Sequence, residues 1–176
     1  PTPATPEQQR IRTHLRYVEQ QLRAKDVSHL APHLRERRQQ MLDLLRQYRQ
    51  NGRFPHNTTS AKRTPCFIDE QGNICAVGYL VAQTAGREVA EALNQQFQYD
   101  RIYEMNTPTL KAWVQQSGLT LKECAMIQPA YGRFTNNTID ATEGVASGLL
   151  TGGNLALSAL NLSQFSSQRS SNELPY

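Results

Sequence analysis

The sequence predicts a mainly α fold: a small helical domain with one short β-hairpin and an extended or partly helical C-terminal tail. Three observations carry this. Apolar residues recur every three to four positions through most of residues 7–127. Helix-boundary residues stand at the ends of those segments, as Asn51-Gly52, Thr107-Pro108 and Ser117-Gly118. A single stretch, "CFIDEQGNICA" (residues 66–76), has short β-like runs placed around a glycine turn.

The elements follow in order. In residues 7–25, Ile11, Leu15, Val18 and Leu22 form one apolar stripe, and Arg and Gln fill the rest. "DVSHLAP" breaks the pattern, because Pro32 disfavours helix in the residue before it. Residues 33–50 make a second helix with Leu34, Met41, Leu45 and Tyr48 on its stripe, widened by Leu42 and Leu44. Asn51-Gly52 is its C-cap. Two such helices joined by a short turn form an antiparallel hairpin. A polar loop, residues 52–65, ends at Pro65. Asp69 then opens a turn that Gly72 closes in a left-handed conformation, which gives a three-residue hairpin with a bulge.

From Ala76 the period becomes helical again, with Val77, Leu80, Val81, Ala85, Val89, Leu93 and Phe97 recurring every three to four positions and Gly86 as an interruption near the middle. Thr107-Pro108 starts the next helix, which turns Leu110, Trp113 and Val114 inward. Thr120 and Glu123 form a capping box for a last short helix that ends at Pro129. Leu15, Val18, Leu22, Leu45, Tyr48, Leu80, Leu93, Trp113 and Ile127 are expected to share one core.

Residues 1–132 are thus one helical domain, and residues 133–176 are a tail of different composition. The tail has only two basic and three acidic residues, and it is rich in Gly, Ser, Asn and Leu. Leu149, Leu150, Leu155, Leu157, Leu160, Leu162 and Phe165 are too many apolar groups for a free linker, so the tail is expected to dock on a protein partner or a like chain.

The 176 residues are 38% hydrophobic with a mean hydropathy of −0.61, and no run approaches the ~20 apolar residues of a membrane span. Charge is uneven. Residues 1–63 hold 13 Lys/Arg against 5 Asp/Glu, a net of +8, and residues 64–176 hold 6 against 10, a net of −4. Such a bipolar chain could attract an acidic partner at one end or its own kind head to tail; the plainer reading is that the arginines line solvated helix faces. The sequence begins "PTPATPEQQ" without Met, as a mature end does after signal-peptide removal, so an extracytoplasmic location is expected. Asn57, Asn136 and Asn161 each stand in a glycosylation sequon.

"GRFPHN", "RTPCFIDEQGNICAVGYL" and "SGLTLKECAMIQPAYG" occur in that order. Together they resemble an uncharacterised bacterial family of small, often exported proteins, over roughly residues 10–132. The resemblance implies a bacterial, exported helical domain and brings no catalytic residue with it.

Four chemistries compete for the distinctive residues. Cys75 at a helix N-terminus could be an activated thiol with His56 as its base; the plainer reading is a small apolar residue packed between hairpin and helix. A Cys66–Cys75 disulfide needs a two-residue turn at Glu70-Gln71, whereas the bulged turn sets Cys66 opposite Ala76; Cys124 on the last helix could instead meet either one, and packed free thiols are the main alternative. His29 and His33 have the four-residue spacing of helical metal ligands, but Pro32 intervenes, and Asp69 and Asn73 only faintly echo a calcium loop; no metal is expected. "LRERRQQ" could track phosphates but lacks aromatic residues beside it, so nucleic acid is not expected. The expected function is a non-enzymatic binding or assembly subunit without a cofactor. The alternative is a small exported thiol enzyme using Cys75 and His56.

Overall fold

Thr5 launches the first helix. Its hydroxyl accepts from the Gln8 N–H at 3.2 Å, and the Gln8 side chain accepts from the Thr5 N–H at 3.1 Å. Pro6 occupies the first helical position, where its missing N–H loses no bond. The helix is α1, Pro6–Ala24, in a computed structural model that describes residues 4–132. The second, α2, runs Pro32–Asn51 and closes on Gly52, whose φ of 67° lets its N–H reach Tyr48 O at 3.2 Å. The two helices lie antiparallel, since Arg23 pairs with Asp43 while Arg46 and Arg49 pair with Glu19.

The glycine turn follows. Ile68 and Ile74 meet in a single antiparallel bridge. The Asp69 N–H donates to Asn73 O at 2.9 Å, and the Cys75 N–H donates to Phe67 O at 2.8 Å. These pairs share one register, with Glu70, Gln71 and Gly72 (φ 79°) in the turn. Among the described residues the two β-like runs pair through this one bridge, without a named strand.

Cys75 caps α3, Ala76–Ala85, by accepting from the Gly78 N–H at 3.2 Å. Gly86 then takes φ 107° and ψ 150°, a region open almost only to glycine, and the helix breaks. What one apolar period spans in the sequence is therefore two helices, α3 and α4 (Arg87–Phe97). After a turn come α5, Pro108–Ser117, capped by Thr107, and α6, Leu121–Ile127, opened by the Thr120–Glu123 capping box. Mainly helical architecture thus holds throughout the described residues.

Helix α2 packs on α1, α3 and α5, and α6 packs on α1 and α3. All nine expected core residues join one buried cluster, with Phe67, Ile68, Ile74 and Val77 from the turn region. The period left one stripe position unread. On α2 the row Leu34, Met41, Leu45 and Tyr48 has a gap that Arg38 fills, and Arg38 is buried. No helix among the described residues is long and apolar enough to cross a membrane.

Candidate functional site

The polar loop before the turn is built around two side chains. Asn57 is fully buried. Its Nδ2 donates to Ser60 O at 3.0 Å and Lys62 O at 2.8 Å, and its Oδ1 accepts from the Thr59 and Ser60 N–H groups, both at 3.0 Å. A glycan on Asn57 would replace one of the two Nδ2 hydrogens, breaking at least one of these bonds at a fully buried side chain, which sets the first sequon against the fold. Asp69 is the second hub. One carboxylate oxygen accepts from the Gln71 and Asn73 N–H groups at 3.0 and 2.8 Å; the other accepts from the His56 N–H at 3.0 Å and from Asn73 Nδ2 at 2.9 Å. The His56 ring stands 3.5 Å from the same oxygen. Asp69 thereby ties the "FPHN" block to the "CFID" block.

The third block closes the loop from the far end of the chain. Thr64 and Tyr131 exchange backbone bonds at 3.1 and 2.9 Å, and the Asn57 N–H donates to Gly132 O at 3.3 Å. Glu7 accepts from the Gly132 N–H at 2.9 Å and from Arg10, whose guanidinium also donates to Ala130 O. Burial works to raise the Glu7 pKa, but the Arg10 and Gly132 hydrogen bonds and the Arg63 charge prevail and hold it at about 2. The three separated motifs of the sequence therefore meet in one corner, with Phe54 against Tyr48 (ring centroids 5.4 Å) beneath it.

All three cysteines are free thiols and buried. Burial pushes the Cys75 thiol up to about 12, against the lowering hydrogen bond from Gly78. Burial does the same for Cys66, helped by the nearby Asp69 and Glu70 charges, and for Cys124. A thiol in that range is neutral at ordinary pH, and the helix dipole at Cys75 does not overcome the desolvation. The register of the turn places Ile68 against Ile74, and hence Cys66 in line with Ala76.

The imidazoles of His29 and His33 do not share a helix. His29 precedes α2 and His33 is its second residue, both exposed. Among the described residues no group of three His, Cys, Asp or Glu side chains is placed to hold a metal. Asp69 and Asn73 are bonded to each other. Leu149, Leu150, Leu155, Leu157, Leu160, Leu162 and Phe165 lie outside the described residues.

Two ionic clusters went unread in the sequence. Glu123, the capping-box residue, accepts from Arg38 at 2.9 and 3.0 Å and from Lys25 at 2.8 Å; Arg38 also donates to Gly118 O and Leu22 O. Burial raises the Glu123 pKa, and the Arg38, Lys25 and Thr120 hydrogen bonds more than reverse it, to about 2. Glu19 is likewise buried and holds Arg23, Arg46 and Arg49. A cavity of about 230 Å³ opens where α5 faces α2 and the end of α3, walled by Met41, Val89 and Trp113. Its indole Nε1 donates to Thr84 Oγ1 at 2.9 Å, so that polar wall is already bonded.

A scan of protein-family models, a search of curated proteins and a search of solved structures each return no match for this chain. The resemblance read from the three sequence blocks thus rests on those blocks alone.

Proposed function

We propose that this protein is a non-enzymatic binding or assembly subunit. The helical domain is the rigid body, and the apolar segment within residues 133–176 docks on a larger complex or a like chain, outside the cytoplasm. The observation that carries the reading is the tail composition: seven leucines and Phe165 stand in residues 133–176 with only five charged residues. That much apolar area is larger than a soluble monomer usually leaves in water. The helical domain supports the same reading from the other side. Its thiols are buried and neutral, and Asp69, Glu123 and Glu19 are each engaged in holding the fold.

The test keeps the whole chain. Leu155, Leu157, Leu160 and Leu162 are replaced together by Ser, and mass in solution is measured by light scattering, alone and after purification from the native source. The expected result is a wild-type assembly that the variant loses while its helical circular dichroism is unchanged. A wild-type protein that is monomeric and partner-free would overturn the reading. So would a variant whose helical domain unfolds.

The competing reading is a thiol enzyme using Cys75 and His56. Its support is the position of Cys75 as the cap of α3; its burial weighs against it. A thiol-specific reagent at neutral pH separates the two. Under the binding reading all three thiols stay unreactive until the protein is denatured. Selective labelling of native Cys75, suppressed by His56→Ala, would favour the enzyme.

A further inference from the structure

We propose that the seam between α1 and α2 is a docking surface for an acidic, Asp/Glu-rich segment of a partner protein. The proposal stands or falls independently of the tail reading. Its basis is a row of arginines. Arg12, Arg16, Glu19 and Arg23 succeed one another at spacings of four, three and four, so they share one flank of α1. Antiparallel pairing brings Arg46 and Arg49 of α2 alongside, through Glu19, and Arg53 follows just past the α2 cap. The Arg12 guanidinium lies over Gly52, so the row continues to the end of the hairpin.

Charge along this row is far from balanced. Six arginines face two carboxylates, Glu19 and Asp43, an excess of four positive charges. From Arg12 to Arg23 the flank is only about 17 Å long, at ~1.5 Å per residue. Glu19 is 5% exposed and already held by three guanidinium groups, so it offers nothing outward. Arg16, Arg46 and Arg53 are exposed. Arg12 Nε and Arg49 Nε are buried without a hydrogen-bond partner among the described residues. The exposed guanidiniums of Arg16, Arg46 and Arg53, within a concentrated positive field, are the donors that favour an anion brought by a second molecule.

The chemistry of that anion is indicated by the seam itself. Arg23 Nε and Arg46 Nε both stand 3.0 Å from a carboxylate oxygen of Glu19, and an Arg49 terminal nitrogen stands 3.3 Å from the other. The row is thus already shaped to clasp a carboxylate between two helices, the geometry a guanidinium fork fits best. Single-stranded nucleic acid would want aromatic rings interleaved with the cations. The exposed Tyr17 is turned about 100° around α1 from Arg16, on the side away from Glu19. Carboxylates spaced along an extended or helical acidic segment match the row without such rings.

The test measures binding of a fluorescent Glu/Asp-rich peptide to the full-length protein by anisotropy, at low and moderate salt. The charge reversal uses Arg16→Glu with Arg53→Glu, two exposed positions outside the Glu19 cluster, and the neutral pair Arg16→Gln with Arg53→Gln guards against misfolding. A control with the same change in net charge is Lys111→Glu with Lys122→Glu, on α5 and α6. The expected result is salt-sensitive binding, weakened about tenfold or more by the seam reversal and altered by less than about twofold by the control. The neutral pair should fall between. Equal weakening by both reversals would reduce the effect to net charge and overturn the proposal. Absence of peptide binding would overturn it as well. Tighter binding to duplex DNA of equal charge, lost with the seam reversal, would replace it with a phosphate-tracking surface.

Discussion

At the scale of single residues, Arg38 and Glu123 are the most consequential pair. Both side chains are almost wholly buried, at 5% and 3% exposure, and they bond at 2.9 Å across 85 residues of sequence. A buried ion pair is worth little against an apolar substitute, yet breaking it leaves one charge stranded. Glu123→Ala should therefore cost about 3–5 kcal/mol in urea unfolding. Replacing both partners, Arg38→Met with Glu123→Leu, should recover most of that loss if the pair is isolated. The Lys25 contact and the Thr120 cap will keep the recovery incomplete. The pair was half legible. Arg38 fills the gap in the α2 stripe, and a charge on an apolar face is a cue to look for a buried partner. Glu123 was read only as a helix cap, which it also is, since it accepts from the Thr120 N–H at 2.8 Å.

At the scale of elements, the glycines that end helices are not equivalent. Gly118 (φ 73°) closes α5 beneath α2, where a Cβ would run into Leu34 O and stand 2.9 Å from Arg38 N. Gly72 (φ 79°) closes the turn in open space, with only an Arg87 nitrogen 4.0 Å away. Both pay the left-handed strain of a side chain, about 1–2 kcal/mol. Gly118→Ala must also push two helices apart. Thermal melts should show Gly118→Ala as severely destabilised and Gly72→Ala as a mild variant, with Gly72→Asn milder still. Leu45, 0% exposed at the centre of α2, tests the packing of the same helices. Its replacement by Ala should cost about 2–5 kcal/mol. Element boundaries were largely legible because caps are local: Thr107, Thr120, Gly52 and Gly118 each act within a few residues. The split between α3 and α4 was visible only as an interruption at Gly86. Whether a glycine bends a helix or ends it depends on the φ that packing imposes.

At the scale of the whole molecule, two carboxylates fasten the chain to itself. Glu7 joins the start of α1 to Gly132, and Glu123 joins α6 to α1 and α2. Both have folded-state pKa values of about 2 against an ordinary 4.5. Their folded-state pKa is depressed, so the stabilisation is complete above about pH 4.5 and is lost as pH falls toward 2. For Glu123 it is on the order of 3 kcal/mol at neutral pH. Glu7 contributes less because its side chain is 25% exposed and screened by water. Denaturant unfolding across that window should show a steep fall in stability, and Glu123→Gln should flatten it. A wild-type protein equally stable at pH 5 and pH 2.5 would refute this account. The charge division belongs to the same scale. Of the net +8 in residues 1–63, an excess of four positive charges falls on the arginine row along the α1–α2 seam.

The sequence by itself determined the mainly helical class, the start and end of most helices and the core stripes. All of these follow from interactions within one turn of helix or one tight loop. Tertiary structure alone decided which polar side chains are buried together. Arg38 meets Glu123, Glu19 gathers three arginines, Asp69 bonds to the chain before it, and Thr64 pairs with Tyr131. It also decided the state of Cys75: the helix N-terminus that lowers a thiol's pKa in water is outweighed here by complete burial. Local periodicity reports which face of an element turns inward. It carries no record of what that face meets, because the partners are brought together by packing and not by spacing along the chain.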